Sequence, residues 1–272
     1  MNNGVKEKIR QMMPRGLRPH RILGGPLRGS RIVTSWHDYP GAILGRTETP
    51  LLEWFGKNVK TGETWLDIGA HYGYTALALS KLVGDRGRVF AFEPMLNTAG
   101  SISRTSALNH LTQLTVVPMA LSNCEDLETD SLEVLRGMLG QVFTNETPAS
   151  TNGSGTHAAP GSKYSFLSCR LEWLWPRISG SNAHVDGVKI DVQGMEIQVL
   201  KGMLPLLKAN RPRLLVEIHH GVSRPELLEV ITSAGYVGRG IPVEPIPGET
   251  EPQYIDDKTY AFTPDSSRPV IA

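Results

Sequence analysis

The sequence predicts one α/β domain built on a largely parallel β-sheet. Three observations lead there. A short apolar run, Thr64-Trp65-Leu66-Asp67-Ile68, passes through a glycine-bearing turn into a helical stretch from Tyr74 to Val83, and a second apolar run, Arg88 to Phe92, follows. Strand, helix and strand within about thirty residues make a βαβ unit, which favours parallel pairing. The same alternation returns later, with apolar runs at 185–190 and 213–218, each followed by helical periodicity. Finally, 272 residues, 40% of them hydrophobic and 20% charged, can bury one large sheet but fall short of two full-sized domains.

The N-terminal part, 1–60, reads as an extension or cap. Residues 17–50 are rich in Gly, Pro and Arg around short β-branched pieces such as Arg31-Ile32-Val33-Thr34, which predicts short strands and turns. Pro50 then opens a helix to 58 that carries Leu51, Leu52, Trp54 and Phe55. The main domain covers 61–265. Within it Gly84-Asp85-Arg86-Gly87 is a turn, a helix is expected over 97–109, and Leu114-Thr115-Val116-Val117 is a third strand. From 123 to 181 the periodicity weakens, and 144–162 is dense in small and polar residues, so a long loop insertion is expected there. A helix after Gly194 places Ile197, Leu200, Leu204 and Leu207 on one face, a further helix covers 225–234, and a last strand lies around Tyr260-Ala261-Phe262.

Composition excludes several classes. A formal net charge of +1 gives no field that would select nucleic acid or an anionic membrane. The basic residues Lys6, Lys8, Arg10, Arg15 and Arg18 precede no apolar h-region, so they read as a solvated tail or helix rather than a secretory signal. No apolar run approaches the ~20 residues needed to span a bilayer. The two cysteines, Cys124 and Cys169, are far apart and lack metal-ligand spacing, which fits a reducing compartment and predicts a cytoplasmic protein without a zinc site.

Three clusters carry chemistry. In Asp67-Ile68-Gly69-Ala70-His71-Tyr72-Gly73 the glycines let the backbone turn close to a ligand, and the following helix offers free N–H groups. A dinucleotide site would want a glycine where His71 stands, because its backbone must meet a pyrophosphate. S-adenosylmethionine (SAM) carries no phosphate, and its sulfonium and ammonium favour a carboxylate, which Asp67 offers directly or through water. Glu93 ends the second strand where a carboxylate can accept both ribose hydroxyls of a nucleoside cofactor. Lys189-Ile190-Asp191-Val192-Gln193-Gly194-Met195-Glu196 ends the fourth core strand, so Asp191 is expected to face the transferred methyl or its acceptor, with Glu217, His219 and His220 at the end of the next strand. Either histidine could serve as a general base; Asp191 and His219 are the catalytic candidates.

With these clusters in order, the chain resembles the FkbM family of SAM-dependent methyltransferases. The resemblance rests on Trp65-Leu66-Asp67-Ile68-Gly69-Ala70-His71-Tyr72-Gly73-Tyr74, Val89-Phe90-Ala91-Phe92-Glu93-Pro94, Asn109, Ala120-Leu121-Ser122, the 189–196 cluster, Leu200-Lys201-Gly202 and Arg211-Pro212 to Glu217. It implies a Rossmann-like class I methyltransferase fold, a seven-stranded, mostly parallel sheet whose last strand is antiparallel. It implies a cofactor site of Asp67, Gly69, Ala70, Gly73, Tyr74, Glu93 and Pro94, with Ala120 and Leu121 near the adenine and Glu48 closing over the cofactor. Two departures stand out: His71 replaces the family's usual Asn, and Gln193 replaces a usual Glu. The expected reaction is O-methylation of a small-molecule or sugar hydroxyl. N- or C-methylation, a nicotinamide-dependent oxidoreductase and a binding protein without turnover are the alternatives. No metal, nucleic acid or membrane partner is expected, and a homodimer is left open.

Overall fold

The structure, a computed structural model, describes residues 12–125, 127–133, 163–248 and 250–267. Most of the basic N-terminal stretch and the small-residue segment 144–162 lie outside these residues. A hairpin of β1 (Arg18–Arg21) and β2 (Arg31–Thr34) comes first, followed by α1 (Pro40–Leu44) and α2 (Thr49–Asn58). The alternating core then runs β3 (Thr64–Ile68), α3 (Tyr74–Val83), β4 (Arg88–Phe92), α4 (Leu96–Leu108) and β5 (Leu114–Val117). After β6 (Ala120–Leu121) come β7 (Glu128–Glu133), β8 (Lys163–Cys169) and α5 (Leu171–Ile178). The chain continues with β9 (Gly187–Ile190), α6 (Glu196–Gly202), α7 (Leu204–Asn210), β10 (Arg213–Ile218), α8 (Arg224–Ser233), β11 (Ile241–Pro242) and β12 (Lys258–Phe262).

The main sheet has seven strands in the order β11-β12-β10-β9-β3-β4-β5. β3, β4, β5, β9 and β10 pair in parallel, and the last strand in the chain, β12, runs antiparallel to β10 and β11. This is the expected Rossmann-like class I methyltransferase arrangement. The chain moves outward from β3 through β4 to β5, then crosses back to β9, so the strand order reverses between β3 and β9. A crevice opens at the carboxyl ends of the strands at such a reversal.

Alternation along the strands separates two cores. Leu66, Ile68, Phe90, Phe92, Val188 and Ile190 face a layer containing Leu171, Trp175, Leu200 and Leu227. Trp65, Val89, Ala91 and Leu215 face the other way, onto Phe55, Leu77 and Ile102, and the same core includes Ile22 and Ile32 from the N-terminal hairpin. Residues before 60 therefore help form a core face of the sheet. Asn109 fixes them there: its amide accepts from Arg31 N at 2.9 Å and donates to Arg31 O at 2.6 Å, while Thr105 Oγ1 accepts from Val33 N at 2.9 Å.

Two expectations are corrected. The segment 123–181 is not simply a loop: in its described part, β8 pairs with both β6 and β7 in a three-stranded sheet, and α5 packs Trp175 edge-on against Phe90 at 4.8 Å. Buried Phe166, Ser168 and Cys169 give β8 an inner face that the interspersed serines disguise. The helix expected after Gly194 is two helices, because Pro205 has no N–H to continue the first one and instead starts α7. Both cysteines are free thiols. Among the described residues no helix is long and apolar enough to cross a membrane.

Candidate active site

A cavity of about 320 Å³ occupies the crevice at the strand reversal. One wall is the loop after β3. Gly69 has φ of +78°, and a Cβ there would lie 1.8 Å from Asp191 O, so the loops after β3 and β9 meet backbone to backbone and only glycine fits between them. The next turn brings His71 N to 3.0 Å from Glu93 Oε2, while Met95 N donates to Glu93 Oε1 at 3.0 Å. Glu93 is thus fixed at the end of β4 with both oxygens anchored and lone pairs to spare. Burial pushes its carboxyl up to about 7, against the pull of these two N–H donors.

Two polar atoms on this wall lack partners among the described residues. The Tyr74 hydroxyl is buried, and so is His71 Nε2; both residues line the cavity. His71 packs its ring edge-on against Tyr39 and Tyr72, at 5.0 and 4.4 Å, and burial drops its imidazole to about 4, so it is neutral at physiological pH. Buried polar groups without partners are costly and point to a ligand that supplies them. The backbone supports the same reading. Glu48, His71 and Gln193, all lining the cavity, are non-glycine residues with positive φ.

The opposite wall is charged. Asp67 and Lys189 are register neighbours on β3 and β9, and the Lys189 ammonium lies 3.2 Å from both Asp67 Oδ1 and Asp191 Oδ2 and donates to Gly69 O at 3.0 Å. Burial opposes the Lys189 charge, but the Asp191 and Asp67 carboxylates outweigh it and hold its pKa above the ordinary value. Glu217, at the end of β10, is pushed up to about 8, first by Asp191 and then by burial; one of its oxygens accepts from Thr259 Oγ1 at 3.1 Å. Behind it His219 Nδ1 bonds Glu196 Oε1 at 2.6 Å, and the Gln193 side-chain amide lies 2.7 Å from its Nε2. Burial opposes the charge on His219, yet Glu196 and Asp191 carry its pKa up to about 9.

Of the residues singled out in the sequence, Glu48, Gly69, Ala70, Tyr74, Glu93, Pro94, Ala120, Leu121 and Asp191 line the cavity. Asp67, Gly73 and His219 do not. Asp67 is fully buried and engaged by Lys189 and by Thr75 Oγ1, which donates at 2.7 Å, so its carboxylate organises the site from beneath. Gly73 caps the N-terminus of α3. His219 sits behind Gln193, between the Gln193 amide and Glu196. His220 is exposed and bonded to Asp256 at 3.0 Å. Sequence reasoning missed Tyr39, Met119 and Phe166, which complete the walls, and quoted Lys189 in the third cluster without giving it a role; its pairing with Asp67 follows from a register that no local pattern announces. Asp191, Glu217 and His219 each present a ligand atom within 4.8 Å of the others. The Lys189 ammonium, 3.2 Å from Asp191, would face any cation bound there.

The sequence profile described as "Methyltransferase FkbM domain" matches residues 67–237. A curated relative, the hexuronic acid methyltransferase AglP of Haloferax volcanii, is 27% identical over 168 residues, which are 62% of this chain and 61% of AglP. The chain thus matches under two thirds of that relative's length. Among solved structures, an FkbM methyltransferase from Methylobacillus flagellatus KT aligns over 77% of this chain and 50% of its own, at 13% identity and a TM-score of 0.46. Fibrillarin of Aeropyrum pernix, solved with natively bound S-adenosyl-L-methionine, aligns over 92% and 88%, at 14% identity and a TM-score of 0.48.

Proposed function

The chain belongs to the FkbM methyltransferase domain family, and from that premise we propose that it transfers a methyl group from S-adenosylmethionine to a hydroxyl of a small molecule or sugar. The observation that carries the cofactor reading is Glu93, a buried carboxylate clamped by two backbone N–H groups at the floor of the cavity. Such a group accepts ribose hydroxyls without rearrangement. The Tyr74 hydroxyl and His71 Nε2 are available to the polar methionine end, and Phe92, Met119, Leu121 and Phe166 offer apolar surface to a base. His71 also fills the place a pyrophosphate would need, which favours SAM over a nicotinamide dinucleotide.

S-adenosylmethionine held by Glu93, Tyr74 and His71 would supply an electrophilic methyl group to the acceptor oxygen, with its sulfonium sulfur as the leaving group. The chain must orient the acceptor hydroxyl and take its proton. Asp191, held ionised by Lys189 and His219, is a weak base but a strong hydrogen-bond acceptor and suits the orienting role. Glu217, with a pKa near 8, suits the proton, and it ionises more readily once a positive charge lies in the cavity. The relative named for hexuronic acid supports a sugar-like acceptor.

Calorimetric titration tests the cofactor. SAM should bind and NAD should not, and Glu93→Ala should weaken SAM by at least tenfold. Isotope-labelled methyl recovered on an oxygen of the product, and lost with Glu217→Gln, supports the reaction. Preference for NAD, or label on nitrogen or carbon, would overturn it.

A further inference from the structure

Beside the main cavity lies a second one of about 140 Å³. The two share Glu48 and Glu217 as a common wall. Beyond that wall the lining acids are Glu244 and Asp257, and Lys258, the one lining cation among the described residues, is ion-paired with Glu244. Pro50, Leu51 and Val243 add an apolar strip. The pocket is built by the main fold. Glu217 and Thr259 are register neighbours on β10 and β12, and Asp257, at φ of +57°, donates its N–H to Ile218 O at 2.8 Å, which draws the 257–259 segment against the end of β10.

We propose that this second cavity is the acceptor subsite, and that it selects amino-bearing or neutral polyols over carboxylate-bearing ones such as uronic acids. The inference rests on the methyltransferase reading of the larger cavity. A donor and an acceptor must meet across one boundary, and among the described residues Glu48 and Glu217 are those the two cavities share. A hydroxyl entering from the second cavity arrives at the carboxylate placed to take its proton. The remaining groups set selectivity. Four acids line the subsite against Lys258, which already pairs with Glu244, so an anionic acceptor meets acids and, among the described residues, no unpaired lining cation. Glu217 keeps its proton near neutral pH until a positive charge draws near, so an ammonium meets acids that ionise toward it. The apolar strip suits the C–H face of a sugar ring. The preference is therefore opposite to that expected of an enzyme acting on a hexuronic acid.

The test uses the full chain loaded with S-adenosylhomocysteine, with methyl NMR signals of Val243 and Leu51 as reporters and methyl glycosides of glucosamine, glucose and glucuronic acid as probes. The glucosaminide should shift Val243 at a concentration at least tenfold below the glucuronide. Glu244→Lys, which lies outside the larger cavity, should narrow that ratio about tenfold, while leaving S-adenosylhomocysteine affinity, measured separately by calorimetry, unchanged. Equal or better binding of the glucuronide, no shift of Val243 by any probe, or an unmoved ratio in Glu244→Lys overturns the subsite while the cofactor reading stands. Failure of S-adenosylhomocysteine to bind overturns both.

Discussion

Glu93 shows how one residue trades stability against binding. Burial lifts its carboxyl from an ordinary 4.5 to about 7, so the folded protein holds this proton more tightly than the unfolded chain does. The stabilisation is complete below about pH 4.5 and is lost as pH rises through 7. Relative to Glu93→Gln, which cannot titrate, the unliganded wild type should lose on the order of 2–3 kcal/mol of unfolding free energy between pH 5 and pH 8. Denaturant unfolding at the two pH values checks this, and parallel curves for the two proteins would refute it. SAM needs the ionised form to accept its ribose hydroxyls. Wild-type affinity should therefore fall about tenfold from pH 8 to pH 6, as expected when one proton with a pKa near 7 competes, and Glu93→Gln should bind weakly with a flat profile. The place of Glu93 at the cavity was legible in the sequence only through its coupling to the glycine turn after the first strand, since a lone glutamate at a strand end reads as a surface residue. The role of Glu217 was only half legible: its place beside Asp191 could be read, whereas its raised proton affinity depends on the company three strands bring together.

At the level of elements, the parallel strands were readable because each is a short apolar run bounded by turn residues, and β3 and β9 are buried on both faces. β8 was not. Its serines break the alternation, and its pairing with β6 crosses more than forty residues of sequence, so no local pattern announces it. The register of β9 against β3 was equally hidden, yet it decides the charged wall by setting Lys189 beside Asp67. Lys189→Met should leave Asp67 and Asp191 buried without their shared counter-charge and cost about 3–5 kcal/mol. Lys189→Met combined with Asp67→Asn should recover part of that loss, a coupling that a double-mutant cycle in denaturant measures; strict additivity would mean the pair does not act as one unit. Asn109 does the corresponding work for the N-terminal hairpin. Asn109→Ala removes its bonds to both polar backbone groups of Arg31 and should destabilise by about 1–2 kcal/mol. The loss should appear as faster amide exchange in β1 and β2 with SAM affinity nearly unchanged. Equal acceleration throughout the sheet would show that the hairpin has no local stability of its own to lose.

Across the whole molecule, the two cores and the cavity bind the N-terminal extension to the domain it seemed only to cap. Ile22, Ile32, Leu51 and Phe55 are buried in the same core as Trp65, Val89 and Leu215, and Arg213 Nη1 on β10 donates to Asn58 O at 2.6 Å. The same extension supplies Asp38, Tyr39 and Glu48 to the cavity wall. A cap by sequence is therefore a face of the core by structure; composition alone could not show this, since its Gly, Pro and Arg content hides the few apolar residues that count. The consequence is cooperative. Deleting residues 1–60 should open the part of this core that α3 and α4 do not cover and remove several buried aliphatic and aromatic side chains worth about 1.5–3 kcal/mol each, which together rival the whole stability of a domain. The truncated chain should lack a cooperative thermal transition by circular dichroism, whereas the full chain unfolds in one step and gains several degrees of melting temperature with SAM at a hundred times its dissociation constant. A truncated chain that melts cooperatively and still binds SAM would mean that the sheet stands without its first sixty residues and that the cavity wall they form is dispensable to cofactor binding.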